Sequence, residues 1–304
     1  MLTRLRTLIS RDGDTGLRRT ALPGVSVFSA ASPTAPVADF VEPSAAIIAQ
    51  GEKVTALNGH SFTYGAGQYL VASIGLPVVG HITKASASEP FQAVVVDLRP
   101  DRIATLLLET SPVIPPAPAT GISVDAASPA LLDAVTRLLT LLDTPQDLDA
   151  LAPGIEREIL WRLLTGPQGA AVRQIGLADS RLAHLSRAIQ FIRHHYARSI
   201  RVEELASIAS MSLSSFHQHF RSLTSMTPIQ YQKQIRLHEA RARLLADPRD
   251  VAGVGHAVGY DSPSQFSREY RRMFGAPPSR DTAATKARDE TENALQLRKF
   301  DIYN

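Results

Sequence analysis

Val202–Pro228 runs VEELASIASMSLSSFHQHFRSLTSMTP, and Val251–Pro278 runs VAGVGHAVGYDSPSQFSREYRRMFGAPP. The second stretch repeats the first. Val202, Leu205, Ile208 and Ala209 align with Val251, Val254, Ala257 and Val258 at an offset of 49. After one inserted residue the offset becomes 50, and Ser214, Phe216, Phe220, Arg221, Leu223 and Pro228 meet Ser264, Phe266, Tyr270, Arg271, Met273 and Pro278. Each copy reads as a short apolar helix, a turn (Ser210-Met211-Ser212 or Gly259-Tyr260-Asp261) and a second, amphipathic helix carrying a cation. That order is a helix-turn-helix, the unit that lays its second helix in a DNA major groove.

The spacing inside each copy separates core from surface. Ala206 and Gly255 are the small residues expected where the two helices cross. Phe216, Phe220 and Leu223 at 3–4 spacing face inward, as do Phe266, Tyr270 and Met273. The outward sets are then Ser214, His217, Gln218 and Arg221 in the first copy and Ser264, Ser267, Arg268 and Arg271 in the second. Gln bonds adenine and Arg bonds guanine bidentately, each worth ~1–3 kcal/mol of discrimination. Gln218 and Arg268 hold equivalent positions and are the expected base readers, with Ser214, His217, Ser264 and Ser267 as further base contacts. Arg221, Arg271 and Arg272 are expected on the DNA backbone. Between the copies, Thr227-Pro228 opens a helix and Asp247-Pro248 stops it. Twenty residues at ~1.5 Å each span ~30 Å, close to the ~34 Å of one duplex turn. Along this rod Lys233, Arg236, Arg241 and Arg243 are expected to face outward, with Lys233 and Arg236 as backbone contacts. Gly253, Gly255 and Gly259 crowd the first helix of the second copy, which is therefore expected to be the looser one.

Charge divides the chain the same way. Met1–Ala170 carries 12 Lys/Arg against 16 Asp/Glu, whereas residues 181–288 carry 17 against 8, a net +9. Only the basic half is expected to meet phosphate. No apolar run approaches the ~20 residues of a membrane span, and no basic-then-apolar leader precedes the body, so a cytoplasmic protein without a membrane partner is expected. The absence of cysteine removes disulfides, thiolate metal sites and thiol nucleophiles, including the reactive cysteine that a DNA-repair alkyl acceptor would need.

Upstream, short apolar runs alternate with turn residues: 25–28, 45–49, 53–57, 61–64, 68–72, 78–83 and 91–96 are expected strands. Asn58-Gly59 is a type I′ hairpin signal, and this rhythm suggests a small barrel or sandwich. Pro100–Glu109 is an expected helix and Thr110–Pro129 a proline-rich connector. Ser128-Pro129 starts a helix, and a second runs from about Pro153 to Leu164. These two cover the barrel's open end or pair with a second subunit. The fold class is thus α+β, a β-barrel with a helical connector followed by an all-α double helix-turn-helix. The expected domains are a flexible arm (1–20), a barrel domain with its connector (21–170), a DNA-binding domain (181–283) and a tail (284–304).

From Glu204-Leu205-Ala206 and Ser212–Phe220, and from Ala257-Val258-Gly259-Tyr260 through Ser264–Arg268 to Phe274-Gly275-Ala276-Pro277-Pro278, the chain resembles the AraC/XylS family of bacterial transcription regulators over roughly Ala183 to Pro278. Ser210 departs from the pattern, where the family usually has Gly. Leu22-Pro23-Gly24-Val25, Tyr64–Leu70 and Glu89-Pro90-Phe91 resemble a sensor domain attached to such regulators. The resemblance implies a cupin-like domain for effector binding and dimerisation. It implies a homodimeric one-component transcription factor, with double-stranded DNA, a small-molecule effector and RNA polymerase as partners and with no cofactor.

Two other functions share this architecture: a cupin-type enzyme tethered to DNA, and an architectural binder indifferent to ligand. Cupin metal sites need two or three His plus a carboxylate, and this half offers only His60 and His81, with no Gly-x-Ser-x-Gly elbow or phosphate-binding glycine loop. No enzyme is therefore expected. The inward strand faces decide which residues line the pocket.

Overall fold

A computed structural model describes residues 1–11, 15–110, 121–177, 180–247 and 250–281. They form two compact units. The first takes its residues from Met1–Ile189 and Ala206–Thr227, the second from Gln190–Leu205 and from Pro228 onward. By contacts, the second helix of the first repeat groups with the β-rich unit. The expected tail, 284–304, and Pro248 lie outside the described residues, as does much of the proline-rich connector.

The strands are β1 (Gly16–Arg19), β2 (Val25–Ala30), β3 (Val37–Val41), β4 (Ser44–Gln50), β5 (Glu52–Leu57), β6 (His60–Gly65), β7 (Gln68–Ala72), β8 (Leu76–Lys84), β9 (Phe91–Asp97) and β10 (Ile122–Ala126). They build two antiparallel sheets that do not close into one barrel, ordered β1-β2-β9-β4-β7-β10 and β3-β8-β5-β6. The inner face of the larger sheet lines a cavity. Its outer face is covered by α1 (Leu2–Ile9), which packs on β4 and β9. Being covered on both sides explains why β4 and β9 read as nearly unbroken apolar runs rather than alternating ones. Asn58 (φ 45°) and Gly59 (φ 89°) both sit at positive φ in the β5–β6 hairpin, as a type I′ turn requires.

The arm expected at the N-terminus is a helix followed by a strand. Leu5 and Ile9, at i and i+4, are fully buried, each contributing ~1.5–3 kcal/mol of apolar burial. Two of its arginines are spent on the fold. Arg6 donates to the Ala49 carbonyl at 3.0 Å, and Arg11 pairs with Asp143 at 2.6 Å.

The connector helices are α2 (Pro100–Glu109), α3 (Pro129–Thr140), α4 (Leu148–Thr165) and α5 (Gly169–Gly176). Ser128 caps α3 by accepting from Leu131 N at 3.2 Å, as its sequence signal requires. α4 begins five residues before the expected Pro153 because a 3₁₀ turn at Pro145–Asp147 leads straight into it. α3 packs on both α1 and α4, and Arg137 of α3 joins Glu158 of α4 at 2.6 Å. The remaining helices are α6 (Arg181–His195), α7 (Val202–Ile208), α8 (Leu213–Thr224), α9 (Pro228–Ala246), α10 (Val251–Ala257) and α11 (Pro263–Phe274).

Candidate nucleic-acid interface

The duplication extends to individual hydrogen bonds. Met211 N donates to the Ala206 carbonyl at 2.9 Å, and at an offset of 49 Tyr260 N donates to the Gly255 carbonyl at 3.0 Å. Ser212 caps α8 by accepting from Ser215 N, and at an offset of 50 Ser262 caps α11 by accepting from Gln265 N. Each second helix ends on a left-handed residue, Ser225 (φ 58°) or Gly275 (φ 80°). Phe216 and Phe220 are buried with ring centroids 5.4 Å apart, and Phe266 and Tyr270 with centroids 5.6 Å apart. Gly255 is small for a packing reason, since a Cβ there would stand 2.9 Å from the Phe266 ring. Gly253 has a steric reason too: the carboxylate of Asp250, which caps α10, folds over its Cα.

The turn residue differs between copies. Gly259 has φ 94° and Ser210 has φ 52°, so a serine occupies the left-handed region where its counterpart is glycine. That conformation costs an L-residue ~1–2 kcal/mol, partly offset by the greater chain entropy glycine would lose. Ser210→Gly should therefore stabilise the first repeat by about 0.5–1 kcal/mol and raise the thermal midpoint by a few degrees. An unchanged or lower midpoint would show the turn to be unstrained.

The surfaces of α8 and α11 carry the expected outward sets. Ser214, His217, Gln218, Arg221, Ser264, Arg268, Arg271 and Arg272 are exposed, and Ser267 is half-buried. Among the described residues, the side chains of Gln218, Arg221, Arg268, Arg271 and Arg272 make no hydrogen bond or ion pair.

The rod is different. Its cations, including the expected backbone contacts Lys233 and Arg236, have partners within the protein. Lys233 pairs with Glu269 of α11 at 2.8 Å. Burial raises the Glu269 carboxyl, but hydrogen bonds from Lys233, Gln265 and Tyr260 outweigh it and hold it below its usual value. Arg236 donates to the carbonyls of Tyr196 (2.7 Å), Ala197 (3.3 Å), Arg198 (3.0 Å) and Gly259 (2.7 Å). Three of these follow the end of α6, whose last carbonyls have no intrahelical donor. Gln232, one turn earlier, donates to the carbonyls of Tyr196 and Arg198. Arg241 chelates Asp281 at 2.8 and 3.1 Å, and Arg243 donates to the Tyr196 hydroxyl at 2.7 Å. The only advance signal was the i, i+4 spacing of Gln232 and Arg236, which puts them on one face.

A family model of the AraC-type transcriptional regulator N-terminus matches residues 21–171, and a helix-turn-helix domain model matches residues 205–283. The chain belongs to the AraC/XylS regulators. It is 28% identical over 240 residues to the HTH-type transcriptional regulator ExsA of Pseudomonas aeruginosa, covering 77% of this regulator and 84% of that protein. It is 31% identical over 156 residues to the transcriptional activator RhaS of Escherichia fergusonii, covering 48% and 52%. The fold resembles that of ToxT from Vibrio cholerae. An apo ToxT variant superposes with a TM-score of 0.56 at 9% identity (87% of this chain, 98% of that one), and unsaturated fatty acid-bound ToxT with 0.55 at 11% (85% and 94%). This regulator therefore combines a β-rich N-terminal domain with a helix-turn-helix DNA-binding region. Among the described residues no helix is long and apolar enough to cross a membrane.

Proposed function

We propose that the chain is a one-component, sequence-specific regulator, not an enzyme, whose DNA affinity is set by a small molecule held between its two sheets. The observation that carries the DNA-reading half is the contrast between helices. The outward cations and amide of α8 and α11 are uncommitted, while the cations of α9 are spent internally. Gln218 and Arg268 then read bases, assisted by Ser214, His217, Ser264 and Ser267. Arg221, Arg271 and Arg272 grip phosphate. α9, at 19 residues and ~28 Å, joins the two copies, and successive major grooves on one face of a duplex lie ~34 Å apart. The regulator acts as a cytoplasmic homodimer and engages RNA polymerase.

Support for effector control comes from a cavity of about 970 Å³ between the sheets, at the upper end of ordinary ligand pockets, and from the bound fatty acid in the similarly folded ToxT. A route from cavity to DNA runs through the β5–β6 hairpin. The Asn58 side-chain amide donates to the carbonyl of Ser225, the residue that ends α8. Gly121 lies so close to the carbonyl two residues inward that a Cβ there would stand 2.0 Å from Leu223 O. An effector that shifts the hairpin shifts α8 with it, a coupling of the ~5–150-fold size usual for linked sites.

The test is DNA affinity with and without an effector found by ligand screening, in wild type, Asn58→Gly and Gly121→Val. Asn58→Gly keeps the positive-φ turn and deletes only the donor. Both variants should bind the effector normally while its influence on DNA affinity shrinks towards none. Wild-type coupling in both variants would rule out this route.

A further inference from the structure

We infer that the cavity takes a monocarboxylate with an apolar body, its carboxylate seated against the ammonium of Lys53. The inference rests on the cavity being the effector site. Its walls are largely apolar and include Leu22, Phe28, Ile48, Leu70, Ile82 and Phe91. Lys53 breaks that pattern. On β5 it stands in register between Ile82 and Tyr64, so its side chain shares the cavity face with theirs.

Three observations make Lys53 a receptor for an anion. First, its ammonium forms no ion pair among the described residues. Its ring contact is with Phe28, 6.0 Å from Nζ to the centroid. An ammonium withdrawn from water with no ion pair, only Asp39 acting on it through space, is costly to keep charged, and an incoming carboxylate relieves that cost. Burial does lower its pKa, with Asp39 opposing the shift through space. Second, the sheet is cut away beneath it. Gly80 presents no side chain where a Cβ would stand 3.1 Å from Lys53 Cε and 3.6 Å from Nζ, so the stem lies flat on the strand and the ammonium stays within the cavity. Third, hydroxyls stand beside it. Tyr64 and Thr55 share one hydrogen bond at 2.8 Å, leaving one of their two protons for a bound oxygen. Burial raises the Tyr64 phenol to about 12, with the Thr55 bond opposing, so it keeps its proton.

The cavity also fixes orientation. Asp97 and Glu42 line its other part together with Arg19. Along β9, Asp97 lies four residues beyond Ala93, the register partner of Phe28, a distance of ~13 Å. There two carboxylates outnumber the one cation Arg19, whereas beside Lys53 only Asp39 acts through space, so the head belongs at Lys53.

The experiment is calorimetric titration of the full-length protein with decanoate and 3-phenylpropanoate, alongside decanamide and 3-phenylpropanamide as neutral matches. Wild type should prefer at least one acid over its amide by ~10–100-fold, the worth of a hydrogen-bonded charge. Lys53→Met should erase that preference while still binding the amide, and Lys53→Arg should retain much of it. Circular dichroism establishes that each variant is folded. Gly80→Val, which displaces the stem without removing the charge, should also reduce it. Equal binding of acid and amide by wild type, or an acid preference that survives Lys53→Met, would overturn the inference and leave the cavity as an effector site. If neither acids nor amides bind, the effector-site reading fails with it.

Discussion

Arg236→Ala should destabilise the second unit by about 2–4 kcal/mol, although Arg236 is an Arg on a helix expected to lie along DNA. Hydrogen bonds to charged groups are worth ~1.5–3 kcal/mol each. The guanidinium makes four, to Tyr196, Ala197, Arg198 and Gly259, and its partial exposure argues for well under the sum. Removing it leaves the Ala197 and Gly259 carbonyls without a side-chain donor, while Tyr196 and Arg198 keep Gln232. The void is not refilled, because Gly259, whose missing Cβ lets the guanidinium approach to within 2.9 Å of that site, offers no side chain to move in. Urea unfolding and amide hydrogen exchange of the full chain are the measurements. The midpoint should fall, and amides of α10 and α11 should exchange faster than those of α8. Wild-type stability combined with a DNA salt dependence reduced by about one phosphate contact would instead restore Arg236 to the DNA backbone.

That residue also shows where sequence stops informing. A cation on an amphipathic helix looks alike whether it meets phosphate or a carbonyl, since the decision lies with Tyr196–Arg198, about forty residues away. The strands divide the same way. β2, β4, β5, β7, β8 and β9 were legible from apolar runs, and β6 from the Asn58-Gly59 turn. β1, β3 and β10 were not, and all three are sheet edges. Gly16–Arg19 and Val37–Val41 bury no residue fully, so neither has the hydrophobic pattern that betrays a strand, and charge on an edge discourages stray pairing. The helix-turn-helix copies were legible because core, turn and cap each leave a separate mark, and the marks recur at a fixed offset. Lys53 was hidden because its role depends on Gly80, on another strand.

Gln218→Ala and Arg268→Ala should each remove one specific base contact, weakening binding to the best site by ~1–3 kcal/mol, roughly 5- to 150-fold. Both side chains are exposed, without partners among the described residues, and equivalent within the repeat. The loss should therefore leave folding intact and fall on sequence preference. Arg221→Ala, Arg271→Ala and Arg272→Ala should differ, weakening all sequences alike and lowering the salt slope by about one each. The most direct measurement is selection of bound fragments from genomic DNA by wild type, Gln218→Ala and Arg268→Ala. Each variant should lose preference at a different position of the motif, with the two positions about one helical turn, ~10 base pairs, apart. Wild-type preference retained by both variants would contradict duplicated base reading by α8 and α11.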